Sequence, residues 1–192
     1  MNSSVLAAAL IAGGASKRMG RDKAMLPVMW RGREVPLWYR QLAVLKMLHP
    51  DELIISGPSR AGLPSSVAVL PDRQPGKGPL SGIAICLESI NSDWLVALAV
   101  DLPFIGSKFL QQVLQQREAS CGVVPVMRGR FEPLAAVYPK SASTIASKRL
   151  EHGDLKLQGF VAELIELELV RAWDVPEDMA GHLVNWNLPP VM

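Results

Sequence analysis

From Leu10 to Lys23 the chain reads Leu-Ile-Ala-Gly-Gly-Ala-Ser-Lys-Arg-Met-Gly-Arg-Asp-Lys. Lys17, Arg18, Arg21 and Lys23 crowd four cationic side chains into seven residues, and only Asp22 opposes them. Gly13 and Gly14 let the backbone adopt dihedrals closed to other residues and let a ligand reach main-chain N–H groups with no Cβ in the way. Together these features suit the binding of phosphates, against the alternative of a solvated basic turn. Two familiar phosphate loops are excluded by counting. Arg18 and Met19 stand where a Walker A loop needs Gly-Lys, and the adjacency of Gly13 and Gly14 breaks the dinucleotide pattern G-x-G-x-x-G.

Two carboxylates further along have the right surroundings for the same chemistry. Asp101 follows the apolar run Trp94–Val100, so it leaves the carboxyl end of a buried strand, where open α/β sheets bind ligands. A carboxylate there, beside a phosphate loop, either holds a divalent cation or caps the turn forced by Pro103. Mg²⁺ suits the first case, because it takes hard oxygens and is usually held by one or two carboxylates plus substrate phosphates. Asp72 precedes Gly76-Lys-Gly-Pro-Leu-Ser-Gly82, in which Pro79 fits the first turn of a helix whose N-terminus favours anions.

The elements that must carry these residues follow from periodicity. Val5–Ala12 is continuously apolar, as in a strand covered on both faces. Further strands are expected at 52–56, 67–70, 94–100, 122–126 and 133–138, with an edge strand at 166–170. Met25–Arg33 reads as an extended excursion turning at Gly32. Helices are expected over 35–48, 79–90, 108–117, 141–151 and 155–164, their apolar residues spaced to face a core. This alternation predicts an α/β fold, a three-layer α/β/α domain with a mostly parallel sheet. In the loop Met127–Pro133, Arg128 and Arg130 either face an anion or solvate a hairpin tip. Asn185 and Asn187, two apart, share one face if Leu183–Asn187 is extended.

Taken together, Ile-Ala-Gly-Gly-x-Ser-x-Arg-Met-Gly-x-Asp-Lys, Asp72 with Gly-Pro-Leu-Ser-Gly, Asp101-Leu-Pro-Phe and Asn185-Trp-Asn187 resemble the molybdenum cofactor guanylyltransferase (MobA) family, in this order along nearly the whole chain. The resemblance implies a Rossmann-like nucleotidyltransferase fold and transfer of GMP from GTP to Mo-molybdopterin, with pyrophosphate released. It implies nucleotide binding by Ile11, Ala12, Gly13, Gly14, Lys23, Ser56, Asp72 and Asp101. Catalysis falls to Lys23, Arg18 and Asp101, Mg²⁺ to Asp101 with Asn187, and acceptor binding to Arg130 and Asn185. Ser56 stands where some members have an asparagine that contacts the base. That substitution keeps a molybdopterin cytidylyltransferase or a sugar-phosphate nucleotidyltransferase as alternatives, while Gly13-Gly14 favours guanylyl transfer. A nucleotide- or cofactor-binding module without chemistry is a third reading, against which the joint presence of Lys23 and Asp101 speaks.

Composition sets the outer bounds. The 192 residues, 49% hydrophobic and 20% charged, suffice for a single domain with a substantial core, with a nucleotide half at about 1–105 and an acceptor half at about 106–192. Twenty basic residues against eighteen acidic ones leave a net charge of +2, so there is no global field for nucleic acid and the basic cluster calls for a small polyanion. Cys86 and Cys121 are expected as reduced core residues, and His49, His152 and His182 lack metal-ligand spacing. No run approaches the length of a membrane span, and the apolar N-terminus lacks the positive leading region of a signal peptide, so a cytoplasmic location is expected. Molybdoenzymes or other cofactor-biosynthesis proteins are the expected protein partners.

Overall fold

The structure is a computed structural model that describes residues 5–13, 22–72 and 76–185. In chain order the strands are β1 (Leu6–Ile11), β2 (Pro27–Trp30), β3 (Arg33–Pro36), β4 (Glu52–Ser56), β5 (Val67–Leu70), β6 (Trp94–Ala99), β7 (Gly122–Met127), β8 (Arg130–Phe131), β9 (Ala135–Pro139) and β10 (Val170–Asp174). The helices are α1 (Leu37–Lys46), α2 (Pro79–Ser89), α3 (Ser107–Gln115), α4 (Ala142–Glu151) and α5 (Leu157–Glu166), with 3₁₀ turns at Lys23–Met25 and Glu177–Leu183.

The main sheet runs β10-β7-β9-β6-β1-β4-β5, with β8 added to β7. β6, β1, β4 and β5 are mutually parallel and β10 is parallel to β7, whereas β9 runs against both β6 and β7. The expected mostly parallel α/β architecture is therefore present. Side chains alternate across each strand, and β1 shows what that does to the core. Ala7, Ala9 and Ile11 pack with α2, α4 and α5 on one face, while Ala8, Leu10 and Ala12 pack with α1 and α3 on the other. A strand buried on both faces must be apolar throughout, which is why its sequence does not alternate. From β1 the chain crosses to β4 and β5 on one side and later returns to β6 on the other. The crevice beyond the carboxyl ends of β1 and β6 is thus the topological switch point of the sheet, and Gly13 and Asp101 emerge there.

Several boundaries differ from expectation. α1 begins at Leu37 because Val35 and Pro36 pair with Val28 and Pro27 in a two-stranded hairpin. The edge strand is β10 at 170–174 rather than 166–170: α5 runs through Glu166, and the chain reverses through Glu168 at φ 55° before Val170 can pair with Gly122. Leu183–Asn185 is not a strand, since Leu183 ends a 3₁₀ turn. Cys86 is buried as expected, whereas Cys121 is only partly buried next to the edge strand, and both are free thiols. Among the described residues no helix is long and apolar enough to cross a membrane.

Candidate active site

The root of the phosphate loop is held by backbone. Ala12 N–H donates to the Ser56 carbonyl at 2.8 Å and Val100 N–H to the Ile11 carbonyl at 3.3 Å, so β1 stays tied to β4 and β6 up to the last residues before Gly13. Gly57, directly after β4, takes φ 140°, and a Cβ on it would lie 2.9 Å from Ala12 C and Gly13 N. Glycine is required there, because any side chain would push the loop root off the sheet. The Ser56 side chain is buried, and a Cβ on Gly82 of α2 would lie 3.0 Å from its Oγ. Its hydroxyl also bonds the Cys86 thiol, which burial pushes up to about 12. Ser56 therefore faces α2 with its hydroxyl and the loop with its carbonyl. Gly14, Arg18 and Asn187 lie outside the described residues.

Beyond the loop, Asp22 organises the first 3₁₀ turn. Its Oδ1 accepts from Ala24 N at 3.0 Å, and its Oδ2 accepts from Arg60 Nη1 at 2.8 Å. Arg60 is 6% exposed at its side chain, and its Nε and Nη2 are buried without a hydrogen-bond partner among the described residues. The turn aims Lys23 across the crevice, where its Nζ stands 3.6 Å from Asp101 Oδ2, with about a quarter or less of either side chain exposed. Residues 78 positions apart in sequence, singled out separately for phosphate and for metal, are thus neighbours.

Asp101 also opens on a cavity of about 410 Å³ shared with Arg128, Arg130, Glu132, Gln158 and Asn185. The Arg128-Gly129 turn joins β7 to β8, and Gln158 of α5 holds β8 by accepting from Phe131 N at 3.2 Å and donating to Phe131 O at 2.9 Å. Glu132 is raised above the usual carboxylate range by burial, Arg130 pulling it down and Asp101 pushing it further up. Asn185 is brought to the cavity by the second 3₁₀ turn, where His182 Nδ1 lies 3.0 Å from the Phe104 carbonyl in the Asp101 loop and so donates to it. Asp72, ahead of α2 in the chain, accepts from Ser81 Oγ in the first turn of that helix at 2.8 Å. Sequence reasoning missed Gly57, Arg60, Glu132 and His182 as parts of this region. For Glu132 a signal existed, a carboxylate beside the Arg-Gly-Arg turn.

The donor set can be tested against Mg²⁺. Among the described residues no three His, Cys, Asp or Glu side chains form a metal cage. Asp101 supplies a hard, partly exposed carboxylate on the rim of a cavity, with one further carboxylate, Glu132, lining it. One or two carboxylates that leave the remaining positions to phosphate oxygens and water fit Mg²⁺ and do not fit a self-sufficient structural metal.

Residues 8–167 match the MobA-like NTP transferase domain. The chain belongs to that family. A probable molybdenum cofactor guanylyltransferase of Opitutus terrae is 36% identical, with 98% of this chain and 93% of the relative covered. One from Bacillus licheniformis, bearing the same name, is 32% identical over 90% of this chain and 85% of its own. Among solved structures, molybdopterin-guanine dinucleotide biosynthesis protein A from Archaeoglobus fulgidus superposes with a TM-score of 0.73 at 21% identity, covering 95% of this chain and 93% of its own; it shares the fold. The match of the MobA-like domain includes the loop after β1, Asp72, Asp101 and the Arg-Gly-Arg turn, and extends to the end of α5.

Proposed function

We propose that this protein transfers GMP from GTP to the terminal phosphate of Mo-molybdopterin, releasing pyrophosphate and forming molybdopterin guanine dinucleotide. The observation that carries the reading is the meeting of Lys23 and Asp101 at the switch point of a MobA-like nucleotidyltransferase fold. The names of its relatives supply the nucleotide and the acceptor.

The reaction needs an anionic nucleophile, an electrophilic phosphorus and a leaving group whose charge is held. An oxygen of the acceptor phosphate, already ionised at neutral pH, attacks the α-phosphorus in line. The new P–O bond forms as the bond to the β-phosphate oxygen breaks. Positioning and neutralisation of charge then do most of the work. Lys23 and Arg18 hold the triphosphate and receive the charge that moves onto pyrophosphate. Main-chain groups of Ile11, Ala12, Gly13 and Gly14 face the nucleotide, with Asp72 on the nucleoside side. Ser56, with its hydroxyl turned into α2, supports the loop through its carbonyl. Asp101, with Asn187, would hold Mg²⁺, which when bound supplies charge neutralisation and a template for the phosphates.

Arg130 and Asn185, on the far side of Asp101, face the acceptor across the 410 Å³ cavity. This divides labour between a nucleotide half at about 1–105 and an acceptor half at about 106–192. Molybdoenzymes or other cofactor-biosynthesis proteins, which would supply the acceptor or take up the product, are the natural partners. The test is to incubate the protein with GTP, Mg²⁺ and Mo-molybdopterin and to identify the product by mass. A dinucleotide formed in equal amount with pyrophosphate is expected, and hydrolysis of GTP without a joined product contradicts the reading.

A further inference from the structure

The Asp101 turn has a support that comes from outside the loop and the strand. Gln41 lies in the middle of α1 with none of its surface exposed, among Leu37, Trp38, Leu42 and Leu45. A primary amide in such a place is costly unless every polar atom is bonded. Its Nε2 donates to the Ala99 carbonyl at 3.2 Å and to the Leu102 carbonyl at 2.9 Å. These carbonyls stand two residues before and one residue after Asp101, so one amide group closes the turn across its base. Its Oε1 accepts from Arg40 Nη1, and the Arg40 guanidinium lies 5.1 Å from the Trp30 ring centroid. Burial lowers the Arg40 pKa. Both the amide nitrogen and the carbonyl oxygen are thus bonded, and the amide cannot rotate without losing three bonds.

The same helix also touches the other half of the catalytic pair. Leu37 N–H, at the start of α1, donates to the Leu26 carbonyl at 2.9 Å, directly after the 3₁₀ turn that carries Lys23. α1 therefore fixes Lys23 through its first residue and the Asp101 turn through Gln41, one helical turn further on. If Gln41 served the core alone, an apolar residue of its size would be the simpler choice in so apolar a setting. A side chain with two N–H donors suits this place because two carbonyls, one on the last residue of β6 and one in the turn beyond it, converge on it.

We infer that Gln41 is a positioning residue for the transfer reaction: its buried amide sets the direction in which Asp101 faces Lys23 and the nucleotide-bound cation. The inference rests on the function proposed above and adds to it a residue that touches neither substrate nor metal.

The test uses the full chain and three substitutions. Gln41→Met keeps the length and removes every polar bond. Gln41→Glu keeps the acceptor for Arg40 and, when ionised, sets a carboxylate against two carbonyls. Arg40→Met leaves both donor bonds in place and frees only Oε1. GTP affinity is measured by calorimetry with and without Mg²⁺, and kcat and KM by pyrophosphate release. In both Gln41 variants GTP should bind as in wild type without Mg²⁺, whereas the gain in affinity on adding Mg²⁺ should fall by about tenfold. kcat should drop on the order of tenfold to a hundredfold, the loss expected from misplacing a reacting group by about an ångström, with the acceptor KM little changed. Arg40→Met should shift the same quantities in the same direction by less.

A purely structural amide would lower the melting temperature and leave the Mg²⁺ response and the kcat of the folded fraction as in wild type; that result overturns the inference. So does failure of both Gln41 variants to fold together with a wild-type Mg²⁺ response in Arg40→Met. Should the wild-type protein itself bind GTP with no response to Mg²⁺, the proposed function fails instead, and the two failures are distinct.

Discussion

Lys23→Met separates a catalytic lysine from a surface one, because the structure sets the two expected losses far apart. In the folded protein Lys23 pairs with Asp101 at 3.6 Å, and both side chains keep part of their surface in water. Pairs of this kind contribute about 0–1 kcal/mol, so urea unfolding should show the variant weaker by no more than about that amount. In the reaction the ammonium faces far more charge: the bridging oxygen of the triphosphate becomes a terminal oxygen of pyrophosphate as the bond breaks. Removing one preorganised group aimed at developing charge typically costs about 3–4 kcal/mol, or about a hundredfold to a thousandfold in rate. Single-turnover pyrophosphate release at saturating GTP and acceptor reads this directly, with unfolding curves taken on the same samples. A rate within about threefold of wild type, or a loss of rate no larger than the loss of stability accounts for, refutes the role given to Lys23.

Three further outcomes follow from neighbouring groups. Asp101→Asn should fold with near-wild-type stability and lose most of its transfer, since the change removes charge and hardly any volume; transfer at the wild-type rate would take Asp101 out of the mechanism. Glu132→Gln bears on pH. A carboxyl raised by burial favours the folded state while protonated, so its contribution is present below the ordinary glutamate value near about 4 and is lost as pH rises through the higher folded value. The variant should therefore gain stability relative to wild type on going from about pH 4 to pH 7, and parallel urea midpoints across that range would contradict this. Native thiol labelling should modify Cys121, which is partly exposed, and spare Cys86, whose thiol is buried and pushed up to about 12; prompt modification of both would show α2 to be more open than described.

What the sequence made legible was whatever depends on local pattern. Strands β4 and β5 fall at the residues expected, because short β-branched and apolar runs bounded by turn formers have few other ways to fold. Asp101 was legible because an apolar strand delivers it and Pro103 ends that strand. The edge strand was misplaced because Glu166–Val170 is apolar enough for a strand, yet α5 continues through Glu166 and the reversal at Glu168 uses up the next residues. Asn185 reaches the site from a 3₁₀ turn tied to Phe104 through His182, a long-range bond that no local spacing encodes. Gln41 and Arg60 were invisible for the same reason. A glutamine in an amphipathic helix and an arginine in a polar loop carry no signal until the fold brings the Asp101 turn and Asp22 against them.

The central claim, guanylyl transfer to molybdopterin, is tested most directly by pyrophosphate release measured with GTP, CTP, ATP and UTP in turn, each with and without Mo-molybdopterin and at equal Mg²⁺. Release that requires the acceptor and is fastest with GTP is the result predicted. Release that is fastest with CTP, or that proceeds equally without the acceptor, would contradict it.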